Sequence, residues 1–229
     1  MTSLLLASAS PARLSTLQAA GIDPHVLVSG VDEDAVLLAA TARFGALEPA
    51  DAVLVLAQAK AQAVADLLAD DAARAAHPAD LAGLPEDVLV LGCDSLLELD
   101  GEAFGKPADP AEATARWRRM RGRTGVLHTG HWLVDARPVA AGQGTGTLGA
   151  TASTTVHFAD LSDAEIDAYV ASGEPLLVAG AFTVDGLGGP FVTRIEGDHH
   201  AVVGVSLAVL RDLLAAVGVT VTELWRDRA

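Results

Sequence analysis

Three short stretches of the chain carry residue types that suit phosphate chemistry. The first is Ser8-Ala9-Ser10-Pro11-Ala12-Arg13. Ser10 is a good N-cap and Pro11 suits a first helical position, so a helix is expected to start here. Its leading N–H groups and partial positive charge suit a phosphate. The Ser8 and Ser10 hydroxyls add donors, and Arg13, in the first helical turn, can grip an oxyanion with two parallel hydrogen bonds. The same residues equally describe an ordinary capped helix. The second signal is the scarcity of lysine: Lys60 and Lys106 are the only two, and every other cation is arginine. Lysine is a compact point charge suited to a phosphate pocket. Against that, Lys60 could snorkel from an Ala/Val/Leu helix, and Lys106 could sit exposed in the turn Phe104-Gly105-Lys106-Pro107. The third signal is acidic. Asp94 follows directly on the apolar run Val88–Cys93, and ligands of α/β sheets bind beyond the carboxyl ends of strands. A carboxylate there can hold a metal or deprotonate water, or merely cap the strand. Glu33, in the acidic turn Asp32-Glu33-Asp34, can share a cation with it or stay solvated; Mg²⁺ commonly takes one or two carboxylates together with substrate phosphates.

The elements that must position these residues follow from pattern. Leu4–Ala7 reads as a first strand, the helix after Ser10 stops at Gly21, and Val26–Val28 reads as a second strand. Residues 48–68 have apolar positions three to four apart, a helix with Lys60 inside it. Residues 72–87 read as loop or frayed helix. The continuous apolar run Val88–Cys93 reads as a strand covered on both faces, with a hairpin turn over Glu98–Gly101. Pro110 opens a helix to Met120, and Val126–Val134 is strand-like. Residues 137–153, rich in Gly, Ala and Thr, read as a flexible hairpin tip, and Thr154–Phe158 as the next strand. Ser162-Asp163-Ala164-Glu165 has the form of a capping box, opening a helix that Gly173 stops. Ala181–Val184 and Val202–Val205 read as strands and Leu207–Val217 as the last helix. Strands alternating with helices make an α/β fold.

Composition bounds the function classes. The 229 residues are 51% hydrophobic but only 4% aromatic, so a core built on Leu, Val and Ala is expected rather than disorder. The 15 Lys+Arg against 30 Asp+Glu leave a net charge of −15, which argues against nucleic-acid polymers and anionic membranes as partners. A small anion remains acceptable where cations gather. One cysteine, Cys93, excludes an internal disulfide framework and a multi-thiolate zinc site, and reads as core packing. The first residues lack a basic region and a long apolar stretch, so they read as a strand rather than a signal peptide. His199-His200 reads as a loop pair, and Gly186-Leu187-Gly188-Gly189 is not a dinucleotide fingerprint.

Taken in order, these segments resemble the Maf family of nucleoside triphosphate pyrophosphatases. Leu6–Arg13 resembles the family's opening motif, Val31-Asp32-Glu33 its acidic motif, and Leu56–Ala61 its Lys-Ala helix. Gly92-Cys93-Asp94-Ser95 resembles its aspartate strand end and Gly105-Lys106-Pro107 its Gly-Lys-Pro turn. Gly173-Glu174-Pro175, Ala179-Gly180-Ala181-Phe182 and Val203-Gly204 fall in the family's order. Both lysines lie on motif positions.

The resemblance implies an elongated α/β fold spanning 1–229 as one domain. Its mixed sheet has flanking helices and a central cleft between two lobes, similar to the inosine triphosphatases. It implies hydrolysis of a nucleoside triphosphate between the α and β phosphorus atoms, with Mg²⁺ or Mn²⁺ as cofactor. Asp94 would be the proton acceptor. Ser8, Ser10, Arg13, Lys60 and Lys106 would contact phosphate, and Glu33 with Asp94 would hold the metal. Ala12, Ser95 and Asp185 fall on positions linked with base choice. Ala12 stands where the family often has arginine, Ser95 where it has Thr or Gln, and Asp185 where the dTTP/UTP branch has Gln. An acidic residue at 185 looks more like the branch acting on 7-methyl-GTP, so a modified purine triphosphate is expected over dTTP and UTP. Ser206 replaces a usual proline. The partner implied is a small nucleotide in the cytoplasm, in a house-cleaning role; a homodimer is compatible. The family's association with septum formation supplies the alternative, a non-enzymatic regulator of cell division that senses nucleotides.

Overall fold

Most helix and strand starts coincide with a local signal in the chain. The protein, described from a computed structural model over residues 2–77, 79, 81–138 and 146–226, orders its elements as follows. β1 (Ser3–Leu6), α1 (Pro11–Ala19), β2 (His25–Val26), α2 (Glu33–Phe44), α3 (Pro49–Ala69) and α4 (Asp71–Ala75) come first. β3 (Val88–Leu99), β4 (Glu102–Phe104), α5 (Pro110–Met120), β5 (Thr124–Asp135) and β6 (Thr147–Phe158) come next. α6 (Asp163–Ala171), β7 (Val192–Glu196), α7 (His199–Val203) and α8 (Leu207–Ala216) complete the order, with short 3₁₀ turns between. The strands form one seven-stranded mixed sheet in the order β2-β1-β3-β5-β6-β7, with β4 paired to β3. β1 runs parallel to β2 and β3, whereas β4 is antiparallel to β3 and β7 to β6.

Local chemistry explains the starts. The Ser10 hydroxyl accepts from the Arg13 N–H, and Pro11 takes the first helical position of α1. The Ser162–Glu165 capping box is fully formed at α6. β3 and β4 turn through Asp100 and Gly101, both at positive φ (58° and 78°), the conformation an Asp-Gly hairpin turn requires.

The chain divides into two compact units. The first comprises Met1–Asp94, Gly130–Thr151 and Leu207–Ala229; the second comprises Ser95–Thr129 and Ala152–Ser206. In the first, α3 contributes Ala61, Val64 and Ala65 to a core with Leu5, Ala7, Leu27, Val88, Val90 and Val134. By length and composition α3 is apolar enough to cross a membrane, yet one side of it is buried within the protein, where Lys60 is buried as well. In the second, Trp117 is fully buried and meets Phe158, Tyr169 and Phe191 edge-on at 5.5–5.9 Å, while its indole N–H donates to the Ala181 carbonyl at 2.7 Å. Edge-to-face pairs of this kind each add about 0.5–1.5 kcal/mol beyond their area burial.

The structure corrects several expectations. Asp32-Glu33-Asp34 is no turn but the start of α2: Asp32 accepts from the Ala35 N–H at 3.0 Å, and Glu33 and Asp34 occupy the first turn, where the helix dipole favours anions. β3 does not end at Cys93; it continues to Leu99, so Asp94 lies within the strand. β6 begins at Thr147, so 147–153 are strand rather than hairpin tip; residues 139–145 of that stretch lie outside the described residues. Ala181–Val184 is not a strand, because Gly180 and Ala181 both have positive φ and the residues beyond are held by side-chain bonds described below. Val202–Val205 is not one either. Asp198 caps α7 by accepting from the His200 N–H, which winds His199–Val203 into a helix. The strand that follows the Gly186–Gly189 run, β7, has no counterpart in the sequence reading.

Candidate active site

Two glycines in neighbouring strands decide where α3 can lie. A Cβ on Gly92 of β3 would stand 2.2 Å from the Ala57 carbonyl oxygen of α3. A Cβ on Gly130 of β5 would stand 2.3 Å from that of Val53. The helix backbone therefore rests directly on the sheet. One turn on from Ala57, this close approach brings the Lys60 ammonium to 2.5 Å from Asp94 Oδ1 and 2.6 Å from Glu33 Oε1. Lys60 is 8% exposed and Asp94 7%, while the Glu33 side chain is 53% open to solvent. One buried cation thus gathers two carboxylates, one deep and one at the surface.

Burial pushes the Asp94 carboxyl above its ordinary range; the positive charges of Lys60 and Arg13 oppose this but do not cancel it, and Glu33 adds to it. A carboxylate shifted upward is a stronger base, which suits proton abstraction near neutral pH. Cys93, next in the strand, is fully buried, and burial pushes its thiol up to about 11, so it packs the core as expected and offers no thiolate.

The β1–α1 turn supplies a second cationic feature. The buried Ser8 hydroxyl accepts from the Ser10 N–H at 3.2 Å and from Arg13 Nη1 at 3.0 Å, while Ser10 caps the helix. Arg13 is buried, and its charge is felt at Asp94. Ala12 is half-buried in the same turn. Ser8, Ser10, Arg13, Glu33, Lys60 and Asp94 all belong to the first unit, and its fold brings Lys60, Asp94, Glu33 and Arg13 together.

Lys106, Ser95 and Asp185 belong to the second unit. Lys106 is exposed in a turn fixed from both sides: the Gly105 carbonyl accepts from Arg116 Nη1 at 2.5 Å and from the Gly180 N–H at 3.0 Å. Arg116 is itself buried, paired with Glu112 at 2.6 Å and stacked on the Phe104 ring. Ser95 is half-buried, its hydroxyl 2.9 Å from that of Thr129, which donates to the Ala201 carbonyl. Asp185 is exposed and makes no hydrogen bond or ion pair among the described residues. His199 and His200 sit in the first turn of α7 rather than in a loop, and no three His, Cys, Asp or Glu side chains converge as metal ligands among the described residues.

Sequence reasoning missed Glu174. Its carboxylate accepts from Tyr169 Oη (3.0 Å), the Leu187 N–H (2.9 Å), the Gly188 N–H (3.0 Å) and the Thr183 hydroxyl. The available signal was Gly173-Glu174-Pro175, an acid placed after a glycine of positive φ, but nothing local showed what it would bind. A polar chain across three strands was missed as well: His128 Nδ1 lies 2.8 Å from the Ser153 hydroxyl and its Nε2 2.9 Å from Glu98.

The profile of a family described as Maf-like protein matches residues 3–217. Among similar proteins, a nucleoside triphosphate pyrophosphatase of Salinispora tropica is 58% identical, covering 97% of this chain and 87% of its own. One of Leifsonia xyli subsp. xyli is 54% identical over 97% and 96%. One of Streptomyces coelicolor is 53% identical over 97% and 94%.

Proposed function

The chain belongs to the Maf-like protein family, and from that premise we propose that it is a nucleoside triphosphate pyrophosphatase, a hydrolase that opens the α–β phosphoanhydride to give a nucleoside monophosphate and pyrophosphate. The observation that carries this reading is the buried Lys60 ammonium held between Asp94 and Glu33, with the Arg13 charge beside it. Phosphoryl transfer asks a protein for positioning and charge neutralisation more than for covalent chemistry. Arg13, Lys60 and Lys106 supply positive charge for the phosphates, and the Ser8 and Ser10 hydroxyls supply hydrogen bonds. Water oxygen adds at phosphorus, the bridging P–O bond breaks, and its electron pair leaves with the departing phosphate. Asp94 accepts the proton from the water.

Glu33 and Asp94 fit a divalent cation, Mg²⁺ or Mn²⁺, because both already share one cationic centre and hard oxygen donors suit such ions. When bound, the cation neutralises phosphate charge. Glu33 and Asp94 are the two carboxylates that would hold it.

Base choice falls to Asp185, with Ala12 and Ser95 on the other positions linked to it. An exposed carboxylate repels the carbonyl edge of uracil and accepts from the N1–H and amine of guanine. It also benefits from the positive charge of a 7-methylated guanine. A guanine-type or modified purine triphosphate is therefore the preferred substrate, consistent with nucleotide clean-up in the cytoplasm.

The test is pyrophosphate release from a panel of triphosphates, with and without Mg²⁺. Release from at least one, dependent on the cation, with GTP or 7-methyl-GTP ahead of dTTP and UTP, is expected. Asp185→Gln should shift the ratio toward the pyrimidines. No pyrophosphate from any member would leave a nucleotide-sensing regulator as the reading.

A further inference from the structure

The residues around Asp185 are held far more firmly than an exposed loop normally is. Residues 182–188 have no strand or helix ladder, yet Glu174 takes four donors from this stretch and from α6. Two are backbone N–H groups, of Leu187 and Gly188; two are hydroxyls, of Thr183 and Tyr169. Tyr169 Oη in turn accepts from the Thr183 N–H at 3.2 Å, so the loop is fastened on both sides of Asp185. The fit leaves no slack. A Cβ on Gly186 would stand 2.5 Å from Glu174 Oε2, and one on Gly188 would stand 2.4 Å from Tyr169 Oη. Asp185 stands outside this network: its carboxylate is exposed and unpaired among the described residues.

A carboxylate with four donors is an unusually demanding anchor for an ordinary turn, since charge-assisted bonds keep their strength only when geometry is kept. We infer that Glu174 is a positioning residue for substrate selection: it clamps loop 182–189 so that Asp185 is presented in one orientation, and the discrimination between bases depends on that clamp. The inference rests on the reading of Asp185 as the group that faces the base. A carboxylate free to swing would accept hydrogen bonds from many partners. A fixed one leaves an unmatched base edge unpaired, which is how a polar site rejects analogues strongly. Glu174→Gln keeps the shape but directs an amide group at donors that need an acceptor, so the clamp opens without a change of volume.

Binding is the readout that separates this claim from the catalytic one. Affinities for the α,β-methylene analogues of GTP and UTP, which cannot be cleaved at that bridge, are measured by calorimetry for wild type, Glu174→Gln, Asp185→Asn and the double variant. Wild type is expected to discriminate between the two by about tenfold or more, and Glu174→Gln to bring the ratio below about threefold, with the pair non-additive because one residue acts through the other. Thr183→Val should weaken the ratio in the same direction. The inference is overturned by a wild type that binds both analogues alike, by an unchanged ratio in folded Glu174→Gln, or by additive effects in the double variant. Failure of wild type to release pyrophosphate would sink the pyrophosphatase reading and leave this binding test standing.

Discussion

Asp94 and Glu174 are both partly withdrawn from water, and their surroundings move them in opposite directions. Asp94 is raised because burial outweighs Lys60 and Arg13. As a base it is lost when pH falls through its raised pKa, so the acid limb of kcat/KM should lie above the ordinary aspartate value of 3.8. Asp94→Asn keeps the hydrogen-bonding size but cannot accept the proton; turnover should fall by about 10²–10⁴-fold while triphosphate binding persists, and near wild-type turnover would remove Asp94 from the mechanism. Glu174 is held below its usual 4.5: burial works upward, but the donors Thr183, Leu187, Gly188 and Tyr169 together outweigh it. A lowered carboxylate contributes its full stabilisation above the unfolded value and loses it as pH falls through the folded one. Base selectivity in analogue binding should therefore stay flat from neutral pH down to about 4.5 and decay only below; a ratio that changes between pH 7 and 5 would contradict the clamp. Asp94, Glu33 and both lysines were legible as candidates because their residue types are unusual at their places. Glu174 was not, because its partners lie up to 14 residues away and only the folded loop brings them to one carboxylate.

Elements that announce themselves locally were read well. Ser10-Pro11, the Asp100-Gly101 hairpin and the Ser162–Glu165 box each carry their own capping or turn chemistry within four residues. α2 was not legible, since Ala40 is its only buried residue and no apolar stripe marks it; its three leading acids read as a turn when they are a cap and first turn. The β-branched runs at 181–184 and 202–205 suggested strands by propensity. Bonds made by the folded chain overruled them: those of Glu174, nine or more residues away, in the first case and the local Asp198 cap in the second. The contact of α3 with β3 and β5 is where an element-level change should be felt most. Gly92→Ala or Gly130→Ala forces the helix backbone outward, since the obstacle in each case is a carbonyl oxygen rather than a flexible side chain. Overpacking of this kind costs about 1–3 kcal/mol, measurable by urea denaturation. Because Lys60 rides on the same helix, activity in the folded fraction should drop as well. A variant stable to within about 0.3 kcal/mol of wild type would mean that α3 does not need this approach.

For the molecule as a whole, the mixed seven-stranded sheet agrees with the α/β expectation, but a core built on Leu, Val and Ala describes the first unit only: Trp117, Phe158, Tyr169 and Phe182 cluster in the core of the second. The net charge of −15 sets a long-range field that opposes a triphosphate, whereas on the proposed reading the buried Lys60 and Arg13 act at contact. Salt screens distant charges more than close buried ones, with a Debye length of about 10 Å at 0.1 M. KM for a triphosphate at saturating Mg²⁺ should therefore fall or hold steady as monovalent salt rises to about 0.1 M; a steep rise would mean that exposed cations dominate capture. What the sequence could not show is how the chain is shared out. The units change over at Asp94/Ser95, Thr129/Gly130, Thr151/Ala152 and Ser206/Leu207, three of these points falling inside β3, β5 and β6. Neither unit is therefore a continuous stretch of gene. A nascent chain emerging N-terminus first has Asp94, Lys60 and Glu33 early, but the segment from Leu207 that completes their unit is translated only after every residue of the other unit has been made. The unit that holds Lys60, Asp94 and Glu33 is thus completed only after the other has been made, and recombination that exchanges a single block of sequence cannot transplant either unit whole.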